Sequence, residues 1–193
     1  YIIEPVSDTH FYADVINSMP LKYSYAKFNF NYQFDKRDIY IDPTKGYFID
    51  ITFLYDKGIE YTDDIITLLI NYSKYYSLKF KYLSDPVFSY QFKTLLKYPE
   101  FKKLPIFSYE YLGGENFVRG YSSLPEFLPE SLDDNLETSN IIYSSFELQN
   151  TIIKRKDYGS IEIGVDGILF IDAAVGSYNY FNWMSIIIGY GAG

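Results

Sequence analysis

In the octapeptide Lys27-Phe28-Asn29-Phe30-Asn31-Tyr32-Gln33-Phe34 every second residue is aromatic and every intervening one is polar. A helix would scatter those rings around its circumference. A strand puts them all on one face and the amides on the other. The run from Tyr47 to Asp56 repeats the pattern, with Tyr47, Ile49, Ile51, Phe53 and Tyr55 sharing the apolar face. Further stretches of strand character lie at about 64–73, 74–82, 87–97, 141–152, 160–175 and 181–190, which predicts an all-β chain of roughly eight strands or slightly more.

Turn chemistry fills the gaps between these stretches. Asp35 to Gly46 carries charges, Pro43 and Gly46; Asp56-Lys57-Gly58 is a compact hairpin signal; Lys154 to Gly159 is charged and closed by glycine. Residues 112–140 read as one long loop, with Gly113 and Gly114 adjacent, Ser/Pro-rich turns and the acidic Asp133-Asp134. Long loops inside compact domains are usually functional. No internal repeat or linker divides the chain, so 1–193 reads as a single domain.

Composition excludes several classes. With 23 Tyr, 16 Phe and 1 Trp, the chain is too aromatic to be intrinsically disordered. Lys and Arg total 17 against 25 Asp and Glu, a net charge of −8, which repels phosphate backbones and argues against nucleic acid as a partner. There is no cysteine for a disulfide or a thiolate zinc site, and the one histidine, His10, leaves little for a metal or nucleophile constellation. No metal, cofactor or catalytic residue is expected. Ile65 to Ile70, bracketed by Asp64 and Asn71, is too short for a membrane helix. The chain starts at Tyr1 without a signal peptide and stops in Gly191-Ala192-Gly193, directly after the strand-like run from Trp183 to Tyr190, so it reads as part of something longer.

Alternating strands have two physical uses. In a soluble sandwich the apolar face is the core and the polar face meets water. In an outer-membrane barrel the apolar face meets lipid and the polar face lines the lumen. Alternation alone does not separate them. Three features favour the barrel: outward positions rich in Tyr and Phe, strands of about 10 residues rather than the usual five or six, and opposite faces rich in Asn, Gln, Ser, Thr, Asp and Glu.

The segment Leu112-Gly113-Gly114-Glu115-Asn116-Phe117-Val118-Arg119-Gly120-Tyr121 adds a specific signal. It resembles the signature of the BamA/TamA-like surface-antigen family of outer-membrane assembly and translocation barrels. In that family a Gly-Gly pair precedes Val-Arg-Gly-Tyr or Val-Arg-Gly-Phe at the tip of a long extracellular loop folded back into the lumen. Val118, Arg119, Gly120 and Tyr121 match all four positions, and Gly113 and Gly114 match the pair. Asp35 and Arg37, followed by Pro43 and Gly46, resemble the family's strand-turn segment. Leu104-Pro105-Ile106-Phe107 resembles the approach to the Gly-Gly pair, and Ser145 to Leu148 the strand with an inward Glu. Phe170-Ile171-Asp172-Ala173-Ala174 resembles its Phe-x-Asp-x-Gly strand, and Ile188 to Gly193 its glycine-rich strand start. Two positions depart from the pattern: Gln149 stands where the family usually has Arg, and Ala174 where it has Gly.

Strand parity agrees with the resemblance. Leu169, Ile171, Ala173 and Val175 share one face, with Phe170 and Asp172 on the other; Tyr143, Ser145, Glu147 and Gln149 share the face opposite Ile142, Phe146 and Leu148. Both Glu147 and Asp172 are then lumen-facing, and a loop guanidinium inserted there needs an anionic or hydrogen-bonding partner. Arg suits the role because its planar fork can bond a carboxylate bidentately. Arg119 is therefore expected to pair with Asp172, Glu147 or both, pinning the loop inside the barrel, with Gly120 giving a sharp backbone turn. The blander readings are a simple Gly-Gly turn, a solvated surface Arg119, and an ordinary His10. A glycosidase-type acid pair is a third use for Glu147 and Asp172, but two inward acids are expected in any polar lumen.

The resemblance implies a partial transmembrane antiparallel β-barrel, of about 16 strands when whole, with a lumen-inserted loop, in a bacterial outer membrane or, less readily, an organelle one. It implies a non-enzymatic role: insertion of outer-membrane proteins or passage of polypeptide. The partners would be membrane lipid, unfolded outer-membrane protein clients and assembly lipoproteins. Alternatives are a barrel that anchors or exports an N-terminal hydrolase domain, a passive porin-like barrel, and a soluble sandwich.

Overall fold

The computed structural model describes residues 24–59, 63–99, 103–105, 108–113, 117–121, 137–157, 162–177 and 186–193. Its strands are β1 (Ser24–Asp35), β2 (Gly46–Ile59), β3 (Ile65–Ser77), β4 (Val87–Tyr98), β5 (Glu110–Tyr111), β6 (Glu137–Thr138), β7 (Asn140–Asp157), β8 (Glu162–Ser177) and β9 (Ile187–Ala192). Seven form one antiparallel sheet in the order β1-β2-β3-β4-β7-β8-β9, and β5 pairs with β6. The chain is all-β, and the sheet is not closed: β1 and β9 are its edges among the described residues.

Register fixes the faces. Phe30 lies opposite Phe53, Phe53 opposite Leu68, and Leu68 opposite Leu96. Farther along, Tyr90 lies opposite Phe146, Phe146 opposite Ile171, and Ile171 opposite Tyr190. All of these stand on one side of the sheet, because the side-chain period of a strand is two. On that side Phe28, Phe30, Tyr32, Phe146, Leu169, Ile171, Ile188 and Tyr190 are exposed.

The other side is polar, with Asn31 donating to Asp50 at 2.6 Å and to Thr52 at 2.7 Å. It also carries the buried cluster Leu95, Leu112, Val118, Ile141, Tyr143 and Ala174, formed where the loop between β4 and β7 packs on the sheet. A soluble sandwich would bury the apolar face. Here the apolar face is bare and the buried cluster lies on the polar face, where the loop packs on it, the arrangement of a barrel wall in lipid. This sheet is a partial β-barrel.

Three local readings are corrected. Residues 64–73 and 74–82 are not two strands: β3 runs through Ile65–Ser77 and turns only afterwards. Lys74 interrupts the apolar series, yet it stays on the outward face because it packs over the rings of Tyr47 and Tyr76. Asp56-Lys57-Gly58 is not a turn but lies within β2. Asp64 satisfies this end of the strand instead, accepting from Gly58 N at 3.0 Å, Lys57 Nζ at 2.9 Å and Tyr55 Oη at 2.7 Å. Lys154 to Asp157 continue β7.

β7 and β8 also outrun their neighbour. Pairing of β4 with β7 stops at Val87–Gln149, whereas β7 and β8 stay paired to Asp157–Glu162 through two irregularities, between Thr151 and Ile153 and between Ile153 and Lys156. Within the loop, β5, β6 and a parallel bridge between Gly113 and Val118 are paired. His10, Ile106, Phe107, Gly114, Asp133, Asp134, Gly159 and residues 181–185 lie outside the described residues.

Candidate functional site

Neighbouring strands place Glu147 on β7 and Asp172 on β8 on the same, polar face, with Ser145 opposite Asp172 and Glu147 opposite Phe170. The loop delivers Arg119 to these side chains. Its backbone is fixed one residue earlier by Val118 N donating to Leu112 O at 3.0 Å, and one residue later by Gly120 at φ +92°. A side chain disfavours that φ.

Arg119 meets Asp172 as a fork. Nε donates to Oδ2 at 2.8 Å and Nη2 to Oδ1 at 2.8 Å, while the Arg119 backbone N–H donates to Oδ2 at 3.1 Å. Ser145 Oγ adds a 2.7 Å bond to Oδ1, and Tyr143 Oη one at 3.3 Å. Nη1 pairs with Glu147 Oε1 at 2.5 Å, and Nη2 reaches Ser145 Oγ at 3.2 Å. The guanidinium lies 3.6 Å from the centroid of the Phe170 ring.

The Asp172 side chain is 0% exposed and that of Arg119 30%. Such a carboxylate is tolerated because its lone pairs are filled and its charge is opposed. Hydrogen bonding to Asp172 and then Glu147 holds the Arg119 guanidinium above its ordinary proton affinity, against the opposing effect of burial. Both acids are engaged by one cation. The arrangement is a docking device for the loop.

Two glycines make room for it. Gly189 on β9 faces Asp172, and a Cβ there would come within 2.8 Å of Val118 Cγ1 and also run into the Arg119 carbonyl. Gly191 faces Phe170, where a Cβ would lie 2.8 Å from the ring. Sequence reasoning placed these glycines in a glycine-rich strand without a physical reason, and it gave Ser145 and Tyr143 a face but no partner. Ala174 is 2% exposed inside the cluster with Leu112 and Val118. Tyr121 Oη lies 3.5 Å from the Ile188 carbonyl.

The loop has a second fastening at its root. Lys97 Nζ donates to Ser108 O at 2.5 Å and Glu110 Oε1 at 2.6 Å, and its backbone N–H donates to Asn140 Oδ1 at 2.8 Å. Thr138 Oγ accepts from Ser177 N at 2.7 Å, tying β6 to β8. Leu104, 1% exposed, is buried nearby in sequence.

The strand-turn residues form a separate unit. Arg37 clasps Asp35 with bonds of 2.6–3.1 Å and lies over the rings of Phe48 at 4.6 Å and Tyr40 at 5.0 Å. Gly46 at φ +105° abuts the backbone of Lys36 and Arg37. Pro43 and Gln149 line a cavity of about 350 Å³ at the end of the wall opposite the long loop. These residues hold a turn and do not touch Arg119.

The family model described as the Omp85 superfamily domain matches residues 6–193. Searches of curated proteins and of solved structures gave no match.

Proposed function

The chain belongs to the Omp85 superfamily, and from that premise we propose that it works without enzymatic chemistry, assisting insertion of other β-barrel proteins into the outer membrane. At the family level the role is outer-membrane protein assembly or translocation, on outer-membrane protein substrates in membranes. The observation that carries the finer reading is the docked loop: one guanidinium bonded to Asp172 on β8 and Glu147 on β7. An acid–base enzyme would need one of those carboxylates free, and here both are held by Arg119.

In the proposed mechanism the docked loop braces the lumen face while strand pairing rearranges elsewhere in the wall. Unpaired strand edges bind extended segments through backbone hydrogen bonds, and a client strand is added by β-augmentation. Unfolded outer-membrane proteins are the clients, and accessory assembly lipoproteins are partners in delivering them. Export or anchoring of an attached hydrolase domain is the competing use of the same wall.

The test is depletion of the full-length protein in its native host, followed by quantitation of folded outer-membrane barrels. General loss of barrels, restored by wild type and not by Arg119→Ala, is the expected result. Unchanged barrel levels would reject general assembly and favour a dedicated exporter.

A further inference from the structure

We propose that the end of the wall opposite the long loop carries a binding belt for the phosphate groups of anionic phospholipids, built from Lys36 and Lys74 on a ladder of outward aromatic rings and from Lys81 in the turn beside it. Lys36 follows the last residue of β1, Lys74 lies three residues before the end of β3, and Lys81 sits in the turn between β3 and β4. Each ammonium is held over a ring. Lys36 Nζ lies 5.7 Å from the centroid of Phe34, and Lys81 Nζ 5.7 Å from Tyr82. Lys74 Nζ lies between two rings, 5.1 Å from Tyr47 and 5.4 Å from Tyr76.

The rings form a nearly continuous band. Phe34 and Tyr47 are 5.8 Å apart, Tyr76 and Phe88 6.2 Å, and Phe88 and Phe146 6.2 Å. By register these residues share the bare apolar face, so the band runs across the lipid side of the wall from β1 to β7. Aromatic girdles mark the level of the membrane–water interface, and lysine stems reach along apolar surface to put the ammonium there.

What sets these three apart is a ring beneath the ammonium with no carboxylate beside it. Lys27, Arg37, Lys57, Lys97 and Arg119 are all paired with carboxylates. Among the described residues, Lys36, Lys74 and Lys81 meet rings and no carboxylate. A ring positions an ammonium without cancelling its charge. On a face turned to lipid, the anion available at that level is the headgroup phosphate. The long loop between β4 and β7 leaves the opposite end of the wall, and long loops belong to the extracellular side of such barrels, which assigns the belt to the periplasmic leaflet. The net charge of −8 does not oppose this, since attraction at a surface depends on local charge within about a Debye length.

This inference rests on the membrane-barrel reading above. The test uses the full-length protein in nanodiscs of phosphatidylcholine doped with spin-labelled phosphatidylglycerol or spin-labelled phosphatidylcholine. Electron spin resonance then reads the lipid held at the protein surface. The expected result is a preference of about three- to fivefold for phosphatidylglycerol at low salt, falling towards parity in 0.5 M salt. It should also fall in the triple variant Lys36→Gln, Lys74→Gln, Lys81→Gln, and persist in the matching triple Lys→Arg variant. No preference in the wild type overturns the inference, as does a preference that survives the Gln variant or is lost equally in the Arg variant. Protein that enters the bilayer without a preference overturns the belt alone, whereas protein that fails to enter overturns the barrel reading with it.

Discussion

Gly189 stands directly opposite Asp172 across the β8–β9 pairing, and the missing side chain there is what lets the loop backbone at Val118 and Arg119 reach the carboxylate. The buried ion pair and the glycine-rich strand are therefore one feature.

Gly189→Ala is expected to destabilise the docked loop by about 1–3 kcal/mol, the usual cost of overpacking a filled site. Gly193→Ala should be close to neutral, because a Cβ there meets nothing within 4 Å. Urea unfolding of the bilayer-inserted protein, with equal midpoints for both variants, would contradict this.

Arg119→Ala strips the guanidinium fork from a fully buried Asp172 and leaves only the field of Lys93 to oppose its charge. A loss of about 3 kcal/mol is expected, the low end of the range for breaking a buried pair because Arg119 is partly exposed. Arg119→Lys should rescue little, since an ammonium cannot reproduce the fork. Combining Arg119→Ala with Asp172→Asn should cost less than the sum of the two single changes. Strict additivity in that cycle would mean the two side chains are not coupled.

Much of this was legible in the sequence. A wall between lipid and a wet lumen imposes period two on every strand, so Phe28 to Phe34 and Tyr47 to Tyr55 declared their face without a structure. The breaks were harder to read. Lys74 looked like the start of a new strand because its ring partners, Tyr47 and Tyr76, come from two different strands. Asp56-Lys57-Gly58 looked like a turn because the carboxylate that satisfies it, Asp64, comes 6 residues after Gly58. Parity put Ser145 and Tyr143 on the lumen side, but only the loop's path shows that they complete the Asp172 site. Gly189 and Gly191 likewise explain themselves only through what approaches them.

Lys97→Met should loosen the root of the loop while leaving the tip docked. Loss of the Lys97 bonds to Ser108 and Glu110 should raise amide exchange across residues 108–112 by roughly tenfold or more, given the worth of charged hydrogen bonds. Exchange at the Val118 amide should change far less, whereas Arg119→Ala should have the reverse pattern. Equal effects of both variants at both places would show that root and tip are one unit.

Asp38 gives a pH signature outside the membrane. Thr44 Oγ at 2.6 Å, with the backbone N–H groups of Thr44 and Lys45, lowers its carboxyl to about 2. A depressed folded value means the ionised form supports the turn above the ordinary carboxylate range near 4. That support fades as pH falls through the window down to about 2. A carboxyl-carbon titration by NMR should place Asp38 well below the exposed aspartates, and Thr44→Val should move it back up. A titration of Asp38 near 4 in the unaltered chain would refute the geometry.

Arg119 does not fasten the loop to one strand: Asp172 belongs to β8, while Glu147, Ser145 and Tyr143 belong to β7. The guanidinium is thus a rivet through a lap joint. Prising β7 from β8 would shear the rivet as well as the backbone ladder, so a docked loop and a gap at this joint exclude each other. The joint between these strands stays shut for as long as the loop is docked, and any doorway has to be cut elsewhere.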